Sequence, residues 1–268
     1  MTKTQYDGAR ILRTARLLAA AAGTLAVMGP LSSAHAAEAP ASPAAPERAP
    51  LPTQNLTAAD IVRQVDELPA PTALGGFAVH SKNFCGSCHG PNGVAQTAMW
   101  PHVSGQPFEV TAKALLEYRA GLRSSGAQAA LMAKAAQKLS DQQIADVAAL
   151  YEYLPGRNAK KAAPTTPAPE LVNSGDASRY ITPCAACHGI DARGNNNGLV
   201  PVLHGQQATV LAAALKDYRS GARQSDMLGE MRVFSRKLTD AEIEQLANWY
   251  AAQPGRVGQE EKKGEGEP

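Results

Sequence analysis

Cys85-Gly86-Ser87-Cys88-His89 and Cys184-Ala185-Ala186-Cys187-His188 decide the reading of this 268-residue chain, because between them they hold all four of its cysteines. In each, two cysteines three positions apart are followed at once by a histidine. Residues i, i+3 and i+4 share a face on one helical turn, so the spacing predicts two thiols and an imidazole pointing the same way. Such a pair of thiols can bond the two vinyl groups of one haem while the histidine reaches its iron, which is the attachment pattern of c-type haem.

Three other uses of paired cysteines fit less well. A thioredoxin-like dithiol needs a strand-rich βαβ setting, and no alternating apolar run of that kind is present. A structural zinc site wants two CxxC pairs close in sequence, whereas Cys88 and Cys184 stand 96 residues apart. Disulfides are chemically possible in an exported protein, but they give no role to the histidine that closes each motif.

Working outward from the two motifs, the flanking sequence repeats itself at a spacing of 99 to 100 residues. Gly90 matches Gly189, Gly105-Gln106 matches Gly205-Gln206, and Tyr118-Arg119 with Gly121 and Arg123 matches Tyr218-Arg219 with Gly221 and Arg223. Lys138-Leu139 and Asp141 match Lys237-Leu238 and Asp240, and Pro-Gly-Arg closes both units at 155–157 and 254–256. Each unit predicts a helix after its Gly-Gln pair, over 110–120 and 210–220, stopped by Gly121 or Gly221. A second helix follows. Ser140 with Gln143 and Thr239 with Glu242 have capping-box spacing, and Ile144, Val147, Ala148 and Tyr151 form an apolar stripe repeated by Ile243, Leu246, Ala247 and Tyr250. The expected fold class is all-α, two small tandem domains.

A haem iron held by one histidine has a sixth position to fill, and its occupant separates electron transfer from catalysis. Met132 lies 43 residues after His89 and Met231 lies 43 residues after His188, each seven residues before the matched Leu139 or Leu238. Repeat equivalence therefore favours these two as ligands, while Met99 and Met227 lack a methionine counterpart and read as packing residues. Of the spare histidines His80, His102 and His204, expected at exposed or hydrogen-bonded loop positions, His102 is the rival ligand for the first haem. Arg119, Arg123, Arg219 and Arg223 can pair with haem propionates or sit solvated at helix ends.

With 44% hydrophobic but only 5% aromatic residues, the chain has material for two small cores, which covalently held haem would supplement. Lys3, Arg10, Arg13 and Arg16 precede an apolar stretch at 17–31 and an Ala34-His35-Ala36 site, so residues 1–36 read as a secretory signal peptide. The stretch is short against the ~20 residues that span a bilayer, and no later segment is long and apolar enough, so the mature chain is expected not to cross a membrane. Cleavage leaves 22 basic against 23 acidic residues, a balance that offers nucleic acid no basic surface. Ala, Pro and Ser dominate 37–52, similar composition returns at 158–169, and 255–268 is rich in Gly, Glu and Lys. These read as a flexible leader, linker and tail around domains at 53–157 and 170–254. So short a linker keeps the two units at high mutual concentration, and docking between them is expected.

On these residues the chain resembles the cytochrome c4 family, dihaem periplasmic electron carriers built from two class I cytochrome c domains. The resemblance spans 76–253 and rests on CAACHG at 184–189, the 201–206 stretch, YRSGAR at 218–223, and 231–243 ending in KLTDAEI. The first repeat departs from the pattern between Pro91 and Ser104. The resemblance implies two covalently bound haems c, axial pairs His89 with Met132 and His188 with Met231, and no enzymatic activity. It also implies a periplasmic location and redox-protein partners such as a terminal oxidase or a quinol-oxidising complex. A cytochrome subunit of a dehydrogenase complex is the alternative. A dihaem peroxidase is disfavoured because it needs an open or switchable iron and both repeats offer a methionine.

Overall fold

The computed structural model describes residues 56–156, 166–194 and 199–253. The signal peptide, the leader, the tail and residues 158–165 of the linker lie outside the described residues. Within them the chain is helical, and its only β pairings are the isolated bridges Arg123 to Arg223 and Asp176 to Ile181.

The first repeat comprises α1 (Ala58–Asp66), α2 (Gly75–Lys82), α3 (Gly86–His89), α4 (Phe108–Arg119), α5 (Gly126–Ala136) and α6 (Asp141–Tyr153). Helix α1 starts at a capping box that the sequence analysis did not single out, Thr57 with Asp60, and buries Ile61 and Val65 against α4. Helix α6 starts at the expected box of Ser140 and Gln143 and buries the whole of its predicted stripe. Helices α2 and α4 both pack on α6. Gly76 lets α2 approach closely, because a Cβ there would stand 2.4 Å from the Asp146 carbonyl oxygen and 2.6 Å from Leu150 Cβ. Leu115, Leu116, Ile144 and Val147 centre this core; burying each such side chain stabilises by about 1.5–3 kcal/mol.

The second repeat comprises α7 (Glu170–Asn173), a 3₁₀ turn at Ala177–Arg179, α8 (Ala185–His188), α9 (Ala208–Ser220), α10 (Glu230–Ser235) and α11 (Asp240–Ala252). Thr239 and Glu242 form the predicted capping box of α11, whose Ile243, Leu246, Ala247 and Tyr250 fill the core against α9. Gly221 ends α9 at φ +81°, as its glycine predicts. Thr166 and Ala168, at the end of the stretch read as linker, belong to this repeat: Trp249 Nε1 donates to the Thr166 carbonyl and Ala168 packs on the core.

The two repeats touch around one matched pair, Arg123 and Arg223. Gln224 N–H donates to the Leu122 carbonyl at 3.4 Å beside the Arg123 to Arg223 bridge, and Ser125 Oγ donates to Asp217 at 2.6 Å. Beside them lies a buried charge cluster. Glu117, fully buried, takes Lys113 on one oxygen and Arg123 Nε on the other at 2.6 Å. Lys113 also donates to the Ser225 carbonyl of the second repeat, and Arg123 and Arg223 lie over the rings of Tyr118 and Tyr218. Three hydrogen bonds and two rings thereby offset part of the cost of enclosing three cations with one carboxylate.

Candidate haem sites

Each CxxCH motif forms a single helical turn, α3 or α8, with its first cysteine at the N-cap in helical conformation and a glycine at positive φ closing it. All four cysteines are free thiols. The turn places His89 and His188 inside the fold, and each is held from behind. His89 Nδ1 donates to the Pro101 carbonyl at 2.9 Å, and His188 Nδ1 donates to the Pro201 carbonyl at 3.2 Å. A carbonyl can only accept, so the proton is on Nδ1 and the Nε2 lone pair is left for a metal. Burial lowers the pKa of both imidazoles, against the opposing pull of the proline carbonyls, and so favours the neutral form that ligates. Burial likewise raises the thiol pKa of Cys85 and Cys184.

Met132 lies on α5, half-buried at the edge of the first core, and Met231 lies half-buried on α10. Met99 and Met227 are exposed rather than packed, a correction to their reading as packing residues; both lie in turns outside the helices. Phe84 and Ile190, each next to an attachment turn, and Leu131, next to Met132, are also exposed. This is apolar surface that a flat apolar group can take from water. Free thiol pairs, oriented imidazoles and this surface together fit a covalently held haem in each repeat: Cys85 and Cys88 would hold one, Cys184 and Cys187 the other.

The other candidates resolve into supporting roles. Arg119 donates to the Leu139 carbonyl and Asp141, and Arg219 to the Leu238 carbonyl and Asp240, so each ties the end of one helix to the start of the last. His80 is buried on α2 rather than placed in a loop, with Nδ1 2.9 Å from the Tyr151 hydroxyl. His102 is buried too, its Nδ1 accepting from the Ala95 N–H at 3.0 Å. His102 and His204 line one cavity between the repeats together with Ser104, Gln106, Val202 and Gln206. Sequence reasoning paired Gln106 with Gln206 as matched residues but gave neither a role.

Two helical repeats, each presenting two thiols and one oriented imidazole, define a dihaem c-type cytochrome. The comparisons with known proteins agree. The cytochrome c family model matches residues 74–154 and 177–251, and the chain belongs to that family. A thiosulfate dehydrogenase electron acceptor of Thiomonas intermedia is 33% identical over 175 residues, 63% of this chain and 78% of that protein. Cytochrome c4 of Azotobacter vinelandii is 29% identical over 180 residues, 62% of this chain and 82% of that one. The crystal structure of reduced cytochrome c4 from Pseudomonas stutzeri superposes with a TM-score of 0.60 at 27% identity, covering 69% of this chain and all of that one. The chain is a dihaem class I cytochrome of the cytochrome c4 kind, an electron carrier with two covalent haems c. No helix among the described residues is long and apolar enough to cross a membrane.

Proposed function

We propose that the chain carries single electrons between redox proteins in the periplasm and performs no chemistry of its own on a substrate. His89 and Met132 would hold the iron of one haem, and His188 and Met231 that of the other. The domains that hold them run over 53–157 and 170–254, the second extended at its start by the contacts of Thr166 and Ala168. The observation that carries this reading is the equivalence of the two sites. Each has a buried histidine whose Nδ1–H is fixed by a proline carbonyl, and each has a half-buried methionine 43 residues further on. The bound haem supplies one-electron chemistry. The chain supplies a neutral, oriented imidazole, and a thioether sulfur that would favour the ferrous state and leave exogenous ligands no open position. His102 is a poor rival to Met132, because its Nδ1 is already engaged by a backbone N–H.

An optical redox titration of the holoprotein, followed by exposure to cyanide and carbon monoxide, tests this. Two low-spin haems with His/Met signatures that bind neither ligand rapidly are expected. A fast-binding iron in the unsubstituted protein overturns the carrier reading in favour of a peroxidase. A second reading concerns the electron donor. Likeness to thiosulfate dehydrogenase electron acceptors favours a dehydrogenase in that role over a quinol-oxidising complex. Co-purification with such a dehydrogenase, and reduction by it at a rate that saturates with its concentration, would support this; a terminal oxidase is then the natural acceptor.

A further inference from the structure

Each histidine assigned to an iron is one peptide bond away from the opposite domain. The Pro101–His102 peptide accepts His89 Nδ1–H on its oxygen at 2.9 Å, and its own N–H donates to Oε1 of Gln206, in the second repeat, at 2.9 Å. The Pro201–Val202 peptide accepts His188 Nδ1–H at 3.2 Å, and its N–H donates to Oε1 of Gln106, in the first repeat, at 3.1 Å. Both glutamines close the ring with a second bond. Gln206 Nε2 donates to the His102 carbonyl and Gln106 Nε2 to the Val202 carbonyl, each at 2.8 Å. Gly105 and Gly205, at φ +75° and +68°, fix the backbone beside these side chains, their N–H groups donating to the carbonyls of Tyr151 and Tyr250. Gln206 and the His102 N–H are buried, so water does not compete for this exchange.

We propose that Gln106 and Gln206 are positioning residues that tune the reduction potential of the haem in the domain opposite to their own. This rests on the assignment of His89 and His188 as iron ligands. A peptide bond is a conjugated unit, so an acceptor on its N–H draws electron density toward its oxygen. The oxygen then binds the histidine Nδ1–H more strongly, which makes the imidazole a better donor and favours the ferric iron. Gln206 therefore holds the potential of the His89 haem down, and Gln106 does the same for the His188 haem. Each domain thereby senses whether the other is docked.

The test is site-resolved redox titration, with each haem followed by its own paramagnetically shifted NMR resonances. Gln206→Met, close in length but with no amide, is expected to change the ferrous-to-ferric ratio of the His89 haem about threefold toward ferrous at a given potential. At ~59 mV per tenfold for a one-electron couple, that is a rise of about 28 mV. The His188 haem should stay within a quarter of that change, and Gln106→Met should give the mirror result. Gln206→Glu, which keeps an oxygen acceptor at the same reach, should return the potential of the His89 haem to the original value or below it. Ser125→Ala removes a cross-domain bond that touches neither peptide, so it should move neither potential if the effect runs through the peptides. Equal shifts at both haems, a shift in the glutamine's own domain, no shift, or a shift with Ser125→Ala each overturn the proposal while leaving the carrier reading intact. Absence of histidine ligation in the unsubstituted spectrum would instead overturn the ligand assignment on which the proposal stands.

Discussion

Five residues before its attachment cysteine the first repeat has His80, and the second repeat has Arg179. His80 lies inside the fold, with its ring edge-on to Tyr151 at 5.7 Å and its Nδ1 2.9 Å from the hydroxyl. Arg179 turns outward to Asp176 and Glu242, both at 2.6 Å, and to the Lys237 carbonyl, so the matching Tyr250 receives no imidazole from that position. One attachment turn is therefore braced from the core, on the eight-residue helix α2. The other is braced from the surface, on a four-residue helix, a 3₁₀ turn and the Asp176 to Ile181 bridge. What the repeats keep in common is the cysteine pair, the histidine on its proline carbonyl, and the Gly-Gln pair whose glutamine reaches the opposite repeat. Behind that shared set, each repeat reaches the same geometry by its own packing.

The severest way to break this equivalence is to remove one attachment. Cys184→Ala together with Cys187→Ala should lower covalent haem from two per chain to one by pyridine haemochrome, and the Cys85 and Cys88 double variant should do the same. A double variant that still holds two covalent haems would deny that the motifs act separately. Next in size, Met132→Ala and Met231→Ala should each lower the potential of one haem by on the order of 100 mV, a modest part of the ~0.8 V over which axial ligands tune haem. Each should also open that iron to cyanide. If only Met231→Ala does so, the first site is ligated differently and the departure at 91–104 is the reason.

These predictions concern the part of the molecule that was legible in the sequence. Covalent chemistry fixes CxxCH spacing, capping boxes and apolar stripes follow backbone periodicity, and the repeat shows each twice. The expected helices at 110–120 and 210–220 are α4 and α9, displaced by at most two residues. Pairing across the repeats was not legible, because equal spacing says that Gln106 and Gln206 are equivalent but not that each reaches into the other domain. Glu117 gave no signal either. It sits one residue from the Tyr-Arg pair on what reads as a polar helix face, and only the docked second repeat makes that face an interior. Arg119 and Arg219 were open between propionate and solvent because the Asp141 and Asp240 they bind lie some twenty residues away, joined only by the fold.

The interface sharpens the comparison at an intermediate energy. Glu117→Gln leaves Lys113 and Arg123 buried without their carboxylate, and stability measured by denaturant should fall by about 3–5 kcal/mol. Its counterpart Asp217 accepts a cross-domain bond from Ser125, so Asp217→Asn should cost only about 0.5–1.5 kcal/mol. Equal losses would mean that the two repeats share the interface charge evenly, contrary to the burial of Glu117.

The smallest expected effect separates the buried interface cluster from the Arg179 brace by salt. Burial pushes the Glu117 carboxyl up, but Arg123, Lys113 and Arg223 together pull it below its ordinary value. Hydrogen bonds from Ser178 and Arg179 hold Asp176 at about 2, and Arg179 holds Glu242 at about 2. All three folded values are depressed, so each group contributes stability that is complete above the ordinary carboxylate range near pH 4. That contribution is lost as pH falls through the folded value, which for Asp176 and Glu242 places the loss between about pH 4 and pH 2. The pairs differ in what salt can reach. At 1 M salt the screening length is about 3 Å, which weakens the solvent-facing Arg179 network but leaves the enclosed Glu117 cluster little changed. Hydrogen exchange can follow both, through the Ile181 N–H bonded to the Asp176 carbonyl and the Leu122 N–H bonded to the Glu117 carbonyl. In high salt the Ile181 amide should lose protection at a higher pH than in low salt, because screening lets its carboxylates protonate nearer their ordinary values. The Leu122 amide should open at the same pH in both. If both amides shift together, the Arg179 network is no more open to salt than the interface cluster, and the second repeat is not braced from its surface.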